Sequence, residues 1–383
     1  MYRNHCRAIA FVSILFSTSY LYAQDKTKIK YEAPSVFAGI EVGSKGVKLS
    51  VVDVDKSTKN GSAFTILKDT SINTDFITFS GATSSATLNA LYDLFTIATK
   101  SMKIPSKRIF TVISSGVKLQ AEKDDKNKMI EELAGSFRQK INEPSRKVEV
   151  VDVTQEARLS HLGIVPDKKR YTTFLIDIGS GNTKGGYFPN GNTRDFKLFQ
   201  LSWGTKSIAN ATEKRCDETD KTLSNYNKQL YRVLSGAENA EIIYAVNSSG
   251  AYPLSDNIAF SGGIAWAAAT LLHPEQANRP VISVSFDEVT KFTEQLYKDY
   301  ASLSADELTK KITDTKLDKT SIAKDIKRVH AVFDQRSLMA GAGLLLKMMR
   351  QFASVYETKE FYLVKNGQVG WISAYVDQVM ETK

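Results

Sequence analysis

Apolar and polar positions along the chain fall into blocks that predict strands and helices in alternation. Residues 36–52, VFAGIEVGSKGVKLSVV, are two apolar runs joined by a Gly-Ser turn, which is the pattern of a β-hairpin. Residues 173–188, TFLIDIGSGNTKGGYF, have the same pattern. After Arg108 the run IFTVISSG predicts a strand ending in Ser114-Ser115-Gly116, with Lys118 just beyond. A strand is expected over Val148–Val153, with a helix opening at Gln155-Glu156-Ala157-Arg158-Leu159. Residues 258–270, IAFSGGIAWAAAT, predict a strand, a Ser-Gly-Gly turn and a helix of small residues. Residues 205–235 and 285–312 read as helical, and Ser285 and Ser304, each with Glu three positions on, mark helix starts. Charged runs such as Asp306–Arg328 are expected to be solvated faces and loops.

The two hairpins are copies of one another. Ile40-Glu41-Val42-Gly43-Ser44 matches Ile176-Asp177-Ile178-Gly179-Ser180 at an offset of 136 residues, and Lys48 matches Lys184 at the same offset. That spacing is too long for a solenoid repeat and suits two related domains. The chemistry of such a turn is specific. Glycines let the backbone approach an anion and aim N–H groups at it, Ser adds a hydroxyl, and the acid ending the first strand can hold a cation that bridges to phosphate. A single Gly-Ser hairpin is commonly no more than a hairpin. Two with the same acid offset point to phosphate.

Composition narrows the class. The 383 residues are 42% hydrophobic and 24% charged, with 8 Pro and 22 Gly, which excludes a disordered or collagen-like chain. Two Cys and four His, with His161, His273 and His330 scattered, exclude a disulfide scaffold and a Cys/His zinc site. Trp203, Trp266 and Trp371 are expected in core or cleft walls, and no nucleic-acid-binding motif is present. Residues 1–23 read as a signal peptide: Arg3 and Arg7 precede the apolar run Ala8–Phe16, and Leu21-Tyr22-Ala23 precedes Gln24. The run is short of the roughly 20 residues a membrane span needs, so no stable membrane insertion is expected after cleavage. Cleavage removes Cys6 and two of the 51 basic residues, leaving Cys216 alone and 49 bases against 42 acids, a net +7 that suits a polyanionic partner.

Six segments, in order, resemble the exopolyphosphatase / guanosine pentaphosphate phosphohydrolase family, within the superfamily of actin, sugar kinases and heat-shock chaperone ATPases. IEVGSKGVKLSVVDV is similar to the family's first phosphate loop and IDIGSGNTK to its second. TVISSGVK resembles its T-S-A-x-R segment, TQEARLSHLGI its G-x-E-E-A-R-L-x-x-x-G-V segment, and LSWGTKSI at 201–208 its S-x-x-x-G-x-x-x-L strand-turn. DQRSLMAGAGLLLKMM at 334–349 resembles its R-A-D-x-x-x-x-G-A helix.

The resemblance implies an α/β fold of two actin-like (ribonuclease H-like) domains, with mixed sheets flanked by helices and an active-site cleft between them. On this chain the domains would be residues 34–155 and 156–383. It implies removal of terminal phosphate from polyphosphate or pentaphosphorylated guanosine, with Mg²⁺ or another divalent cation on the phosphates. Carried over by position, Glu156 is the catalytic base, and Glu41 and Asp177 hold the metal. Gly43, Ser44, Lys45, Ser115, Lys118, Gly179, Ser180, Gly181, Asn182, Gly262 and Gly263 contact phosphate, with Lys48 a further candidate. The chain departs from the family at four positions: Glu41 replaces Asp, Lys118 replaces Arg, Gln155 replaces the first acid of the E-E pair, and Lys184 replaces the Glu that ends the second loop.

These features lead to an exported, periplasmic or secreted, hydrolase of inorganic polyphosphate, since ATP and guanosine polyphosphates are cytosolic. The departures equally suit a degenerate member that binds a phosphorylated ligand or partner without cleaving it. An actin-like ATPase is a third reading, and a homodimer is allowed. Secretion with the leader attached should yield a chain whose amino terminus is Gln24, read directly by mass spectrometry of the released protein; retention of residues 1–23 would overturn the leader assignment.

Overall fold

The computed structural model describes residues 31–44, 46–54, 64–353 and 358–381, with backbone alone for residues 368 and 377–381. The signal segment and Lys45 lie outside the described residues. Two compact units result, the first ending at Asp152 and the second beginning at Val153.

In the first unit, β1 (Val36–Val42), β2 (Gly46–Asp53) and β3 (Thr65–Asn73) form an antiparallel meander. Helix α1 (Gly81–Thr96) leads to β4 (Ile109–Ile113), which lies parallel to β1. Helices α2 (Ser115–Lys123) and α3 (Asn127–Lys140) precede the two-residue edge strand β5 (Glu149–Val150). The sheet order is β3-β2-β1-β4-β5. Its core packs Ile40, Val47 and Leu49 against Leu91 and Leu94 of α1 and Phe137 of α3.

The second unit opens with α4 (Val153–Ile164) and then repeats the plan. Strands β6 (Thr173–Ile178), β7 (Thr183–Tyr187) and β8 (Lys197–Leu201) form the meander. Helices α5 (Thr205–Glu213), α6 (Leu223–Ala237) and α7 (Ile243–Ser249) lead to β9 (Asn257–Gly262), parallel to β6. There follow α8 (Gly263–Leu272), β10 (Val281–Val284), α9 (Phe286–Lys298), α10 (Ala305–Lys310), α11 (Lys319–Val332), α12 (Gln335–Ala353), β11 (Glu360–Val364) and α13 (Gly370–Glu381). The sheet order is β10-β11-β9-β6-β7-β8. Both units are thus α/β with mixed sheets, and the sequence echo corresponds to the same hairpin at the same place in each.

The period-2 alternation of β6 decides what each face of the second sheet carries. Phe174, Ile176 and Ile178 join Ile258 and Phe260 in a large core with α6, α8, α9 and α12. Leu175 and Ala259 face the other way, with Val165 at the end of α4 and Val364. Asp177 therefore points to the α4 face of the sheet.

Local chemistry explains where the observed elements differ from the predicted ones. The strand expected at Val148–Val153 shrinks to two residues because α4 starts at Val153. The helix predicted over 205–235 is broken, since the carboxylates of Asp217 and Asp220 accept from the backbone N–H of Thr219 (3.0 Å) and Thr222 (3.2 Å) and hold two Asx turns. Over 285–312, the Ser285–Glu288 capping box starts α9 and Ser304 caps a new helix at Ala305.

On α4, His161 is fully buried, its Nε2 donating to the Thr173 carbonyl at 3.0 Å and its ring edge-on to Phe188. Burial lowers its pKa to about 4. In the unfolded chain this group takes up a proton near pH 6.5, whereas the folded protein refuses it until about pH 4. The stability it contributes is therefore complete above pH 6.5 and is lost as pH falls toward 4, by about 3 kcal/mol in all. Urea unfolding at pH 7.5 and pH 4.5 should show a steeper acid loss for the wild type than for His161→Gln; parallel profiles would refute the assignment.

Candidate functional site

Each hairpin is closed by the same hydrogen bond. Gly43 N donates to Gly46 O at 2.9 Å in the first unit, and Gly179 N donates to Asn182 O at 3.0 Å in the second. The closure sets identical registers, with Glu41 opposite Lys48 and Asp177 opposite Lys184. Directly opposed residues project from the same face of an antiparallel pair, so each hairpin carries an acid–lysine pair beside its Gly-Ser turn.

In the first unit, Ser114 N donates to Val42 O at 3.0 Å and ties the start of α2 to the turn. Gly116 leaves room for hydroxyls, since a Cβ there would meet Ser44 Oγ at 3.4 Å and Ser114 Oγ at 4.0 Å. Ser115 is buried at the first turn of α2. Lys118 lies one turn along the helix, its Nζ 3.7 Å from Glu122. Lys48 reaches sideways to β3, 3.6 Å from the Asp69 carboxylate, which also accepts from Ser50 Oγ.

In the second unit the loop rests on α5. Thr205 N donates to Gly179 O at 2.9 Å and Lys206 N to Ser180 O at 2.7 Å. A side chain at Gly204 would collide with Gly179 O at 2.6 Å, so the helix approaches this closely only through glycine. Ser180 and Gly181 form the exposed tip, and Asn182 is half-buried behind them. The parallel neighbour β9 brings Ser261 opposite Asp177, and Ser261 Oγ donates to Asp177 Oδ1 at 2.9 Å. Gly262 has φ +93°, and a Cβ there would meet Ile178 O at 2.2 Å and Asp177 Oδ1 at 3.0 Å. Gly263 begins α8 beside the ring of Phe333.

Glu156, in the first turn of α4, forms an ion pair with Lys184 Nζ through Oε1. The two side chains are only 17% and 15% exposed, so the pair is poorly screened by solvent. Burial raises the pKa of Asp177 above the ordinary carboxylate range; the Lys184 charge and the Ser261 hydrogen bond oppose that rise and the Glu156 charge adds to it. Asp177, Lys184, Ser261 and Glu156 thus form one electrostatic cluster on the α4 face. The sequence reading singled out Lys184 as a departure and missed its role in the cluster. The signal that could have found it is the hairpin register, which sets the acid at i opposite the lysine at i+7 in both copies.

The donors around Asp177 do not fit the divalent cation that the resemblance implies. Such an ion takes six or more oxygen ligands from carboxylates, carbonyls and water. Here one oxygen of Asp177 already accepts from Ser261, one oxygen of Glu156 accepts from the ammonium, and no group of three or more His, Cys, Asp or Glu suited to a metal occurs among the described residues.

The two-unit α/β plan, with a glycine-closed hairpin at the end of each first strand, defines an actin-like architecture, and solved structures agree. The Ppx/GppA family member of Aquifex aeolicus shares 16% identity over 91% of this chain and 98% of its own, with a TM-score of 0.61. The type II variant of the Aquifex aeolicus Ppx/GppA phosphatase shares 16% over 88% of this chain and 98% of its own, at 0.57. An exopolyphosphatase from Cytophaga hutchinsonii shares 12% over 91% and 98%, at 0.55. The chain has the fold of the Ppx/GppA structures, as the resemblance in its motifs implies. No protein-family profile matches it, and no curated protein matches its sequence.

Two glycines of the second unit make contrasting tests. Gly262→Ala combines a left-handed φ with a backbone clash and should cost at least about 2 kcal/mol in urea unfolding, whereas Gly181→Ala, which would meet nothing within 4 Å, should stay within about 0.5 kcal/mol of wild type. Equal effects would mean that the turn at Gly262 is not built as described.

Proposed function

We propose that this chain is an exported phosphohydrolase of condensed phosphate that releases terminal phosphate from inorganic polyphosphate. The single observation that carries the reading is the contact of Glu156 with the second phosphate-type hairpin, at Lys184 and beside Asp177. The fold likeness to Ppx/GppA structures supports the reaction class. The net charge of +7 on residues 24–383, 49 bases against 42 acids, supports a polyanionic substrate. The leader-like amino terminus supports a substrate that occurs outside the cytoplasm.

The geometry suits a loose phosphoryl-transfer transition state, in which the protein mainly positions groups and offsets charge. The exposed Ser180–Gly181 tip offers N–H and hydroxyl donors to the terminal phosphoryl oxygens. The Lys184 ammonium lies on the same hairpin and offsets the charge that spreads over them. Glu156, paired with that ammonium, takes the proton of the attacking water. A weak base suffices, because little proton transfer is needed before the bond to the leaving phosphate has largely broken.

A second reading, a phosphorylated-ligand-binding protein without turnover, is favoured by the same ion pair, since a base tied to an ammonium is a poorer proton acceptor. Phosphate release from long-chain polyphosphate, with and without Mg²⁺, separates the two. Hydrolysis should fall at least about 10²-fold in Glu156→Gln. Unchanged turnover in the variant would remove Glu156 from the reaction. Absence of turnover in both, with polyphosphate still raising the melting temperature, would establish the binding protein instead.

A further inference from the structure

The site contains its own cation. Asp177 and Lys184 are directly opposed across β6 and β7, and Glu156 reaches them from the first turn of α4. Three charged groups from three elements therefore meet on one face of the sheet, with side-chain exposures of 15% for Lys184 and 17% for Glu156. Ser261 takes up one oxygen of Asp177 from the neighbouring strand, and the close approach of Gly262 to Ile178 O leaves no slack in that wall.

We propose that the Lys184 ammonium stands where a divalent cation would otherwise sit between Asp177 and Glu156, so that the second unit excludes metal and receives a phosphate anion directly. The inference deepens the functional reading above and rests on it for the anion. A tethered ammonium is present at a very high local concentration, whereas a hydrated divalent ion must shed water and collect several oxygens at once. Without Lys184 the acidic pair Asp177 and Glu156 would lose the positive charge that lies beside both. With it, one charge is cancelled and one oxygen is occupied. The first hairpin offers an internal contrast: its equivalent lysine, Lys48, is turned to Asp69 on the adjacent strand.

The test is a Mn²⁺ titration of the mature chain, followed by the electron paramagnetic resonance of the free ion, with tripolyphosphate binding measured by calorimetry in chelator. The wild type should show no saturable Mn²⁺ site below about 1 mM, a strength usual for weak oxygen sites. Lys184→Gln should gain a site at least about tenfold stronger, by removal of one nearby positive charge. That gain should vanish when Asp177→Asn is added, and Lys184→Arg should keep the exclusion. Tripolyphosphate should bind the wild type in chelator and lose affinity at least about tenfold in Lys184→Gln. A saturable wild-type Mn²⁺ site that Asp177→Asn abolishes would overturn the proposal, and it needs no Lys184 variant to fold. So would a folded Lys184→Gln chain that gains no site, or tripolyphosphate binding that its loss of charge leaves unchanged. If the wild type excludes Mn²⁺ as stated but binds no tripolyphosphate under any condition, the functional reading fails and the metal exclusion stands.

Discussion

The hydrogen bond that closes each hairpin, from a glycine N–H to the carbonyl three residues on, is the constraint from which the rest of the site follows. In an antiparallel pair a one-residue slip turns every side chain to the opposite face. With the turn closed at Gly179 and Asn182, Asp177 must lie opposite Lys184, and Phe174, Ile176 and Ile178 must face the apolar core. A slip would bury the acid and the lysine among aliphatic side chains and move three large hydrophobic residues onto the face that carries the ionic cluster, at a cost comparable with the stability of an ordinary domain.

The same sheet face changes character along its length. At the start of β6 and β9 it is apolar, with Leu175 and Ala259 under Val165 and Val364. At the carboxyl ends of those strands it turns ionic, with Asp177, Ser261 and Lys184 under the first turn of α4. Helix α4 spans both: His161 is sealed against the sheet toward one end while Glu156 meets the charged pair at the other. A buried neutral His and a poorly hydrated ion pair on one helix leave it little freedom to shift, and this holds the carboxylate against the hairpin. Glycines provide the remaining fit, at Gly204 and Gly262, where backbone meets backbone at distances no side chain permits.

Much of this was legible in the chain itself. The two hairpins, their 136-residue echo, the strand-turn-helix at 258–270 and the Ser-capped helices all follow from apolar alternation, turn glycines and caps, which act between residues a few positions apart. The order of motifs carried the fold, because two copies of one hairpin at that spacing require two sheets of the same plan. Less accessible were the break at 214–222, where Asx turns compete with helix, and the shortness of β5, which yields to the start of α4. Both are decided by competition between neighbouring elements.

What only the tertiary structure decided is the partner of each lysine. Lys48 and Lys184 occupy identical places in identical hairpins, yet one reaches Asp69 on a strand and the other Glu156 on a helix. Glu156 and Lys184 are 28 residues apart on separate elements, and Asp177 and Ser261 are 84 apart. A lysine side chain is long and flexible, and it pairs with whichever carboxylate the packing brings within reach. Sequence determined that each hairpin would hold an acid and a lysine beside a phosphate-type turn, because turn closure and register are local. Whether that lysine serves the sheet edge or stands in the site depended on which element packs over the hairpin, and that is set by the assembly of the whole unit.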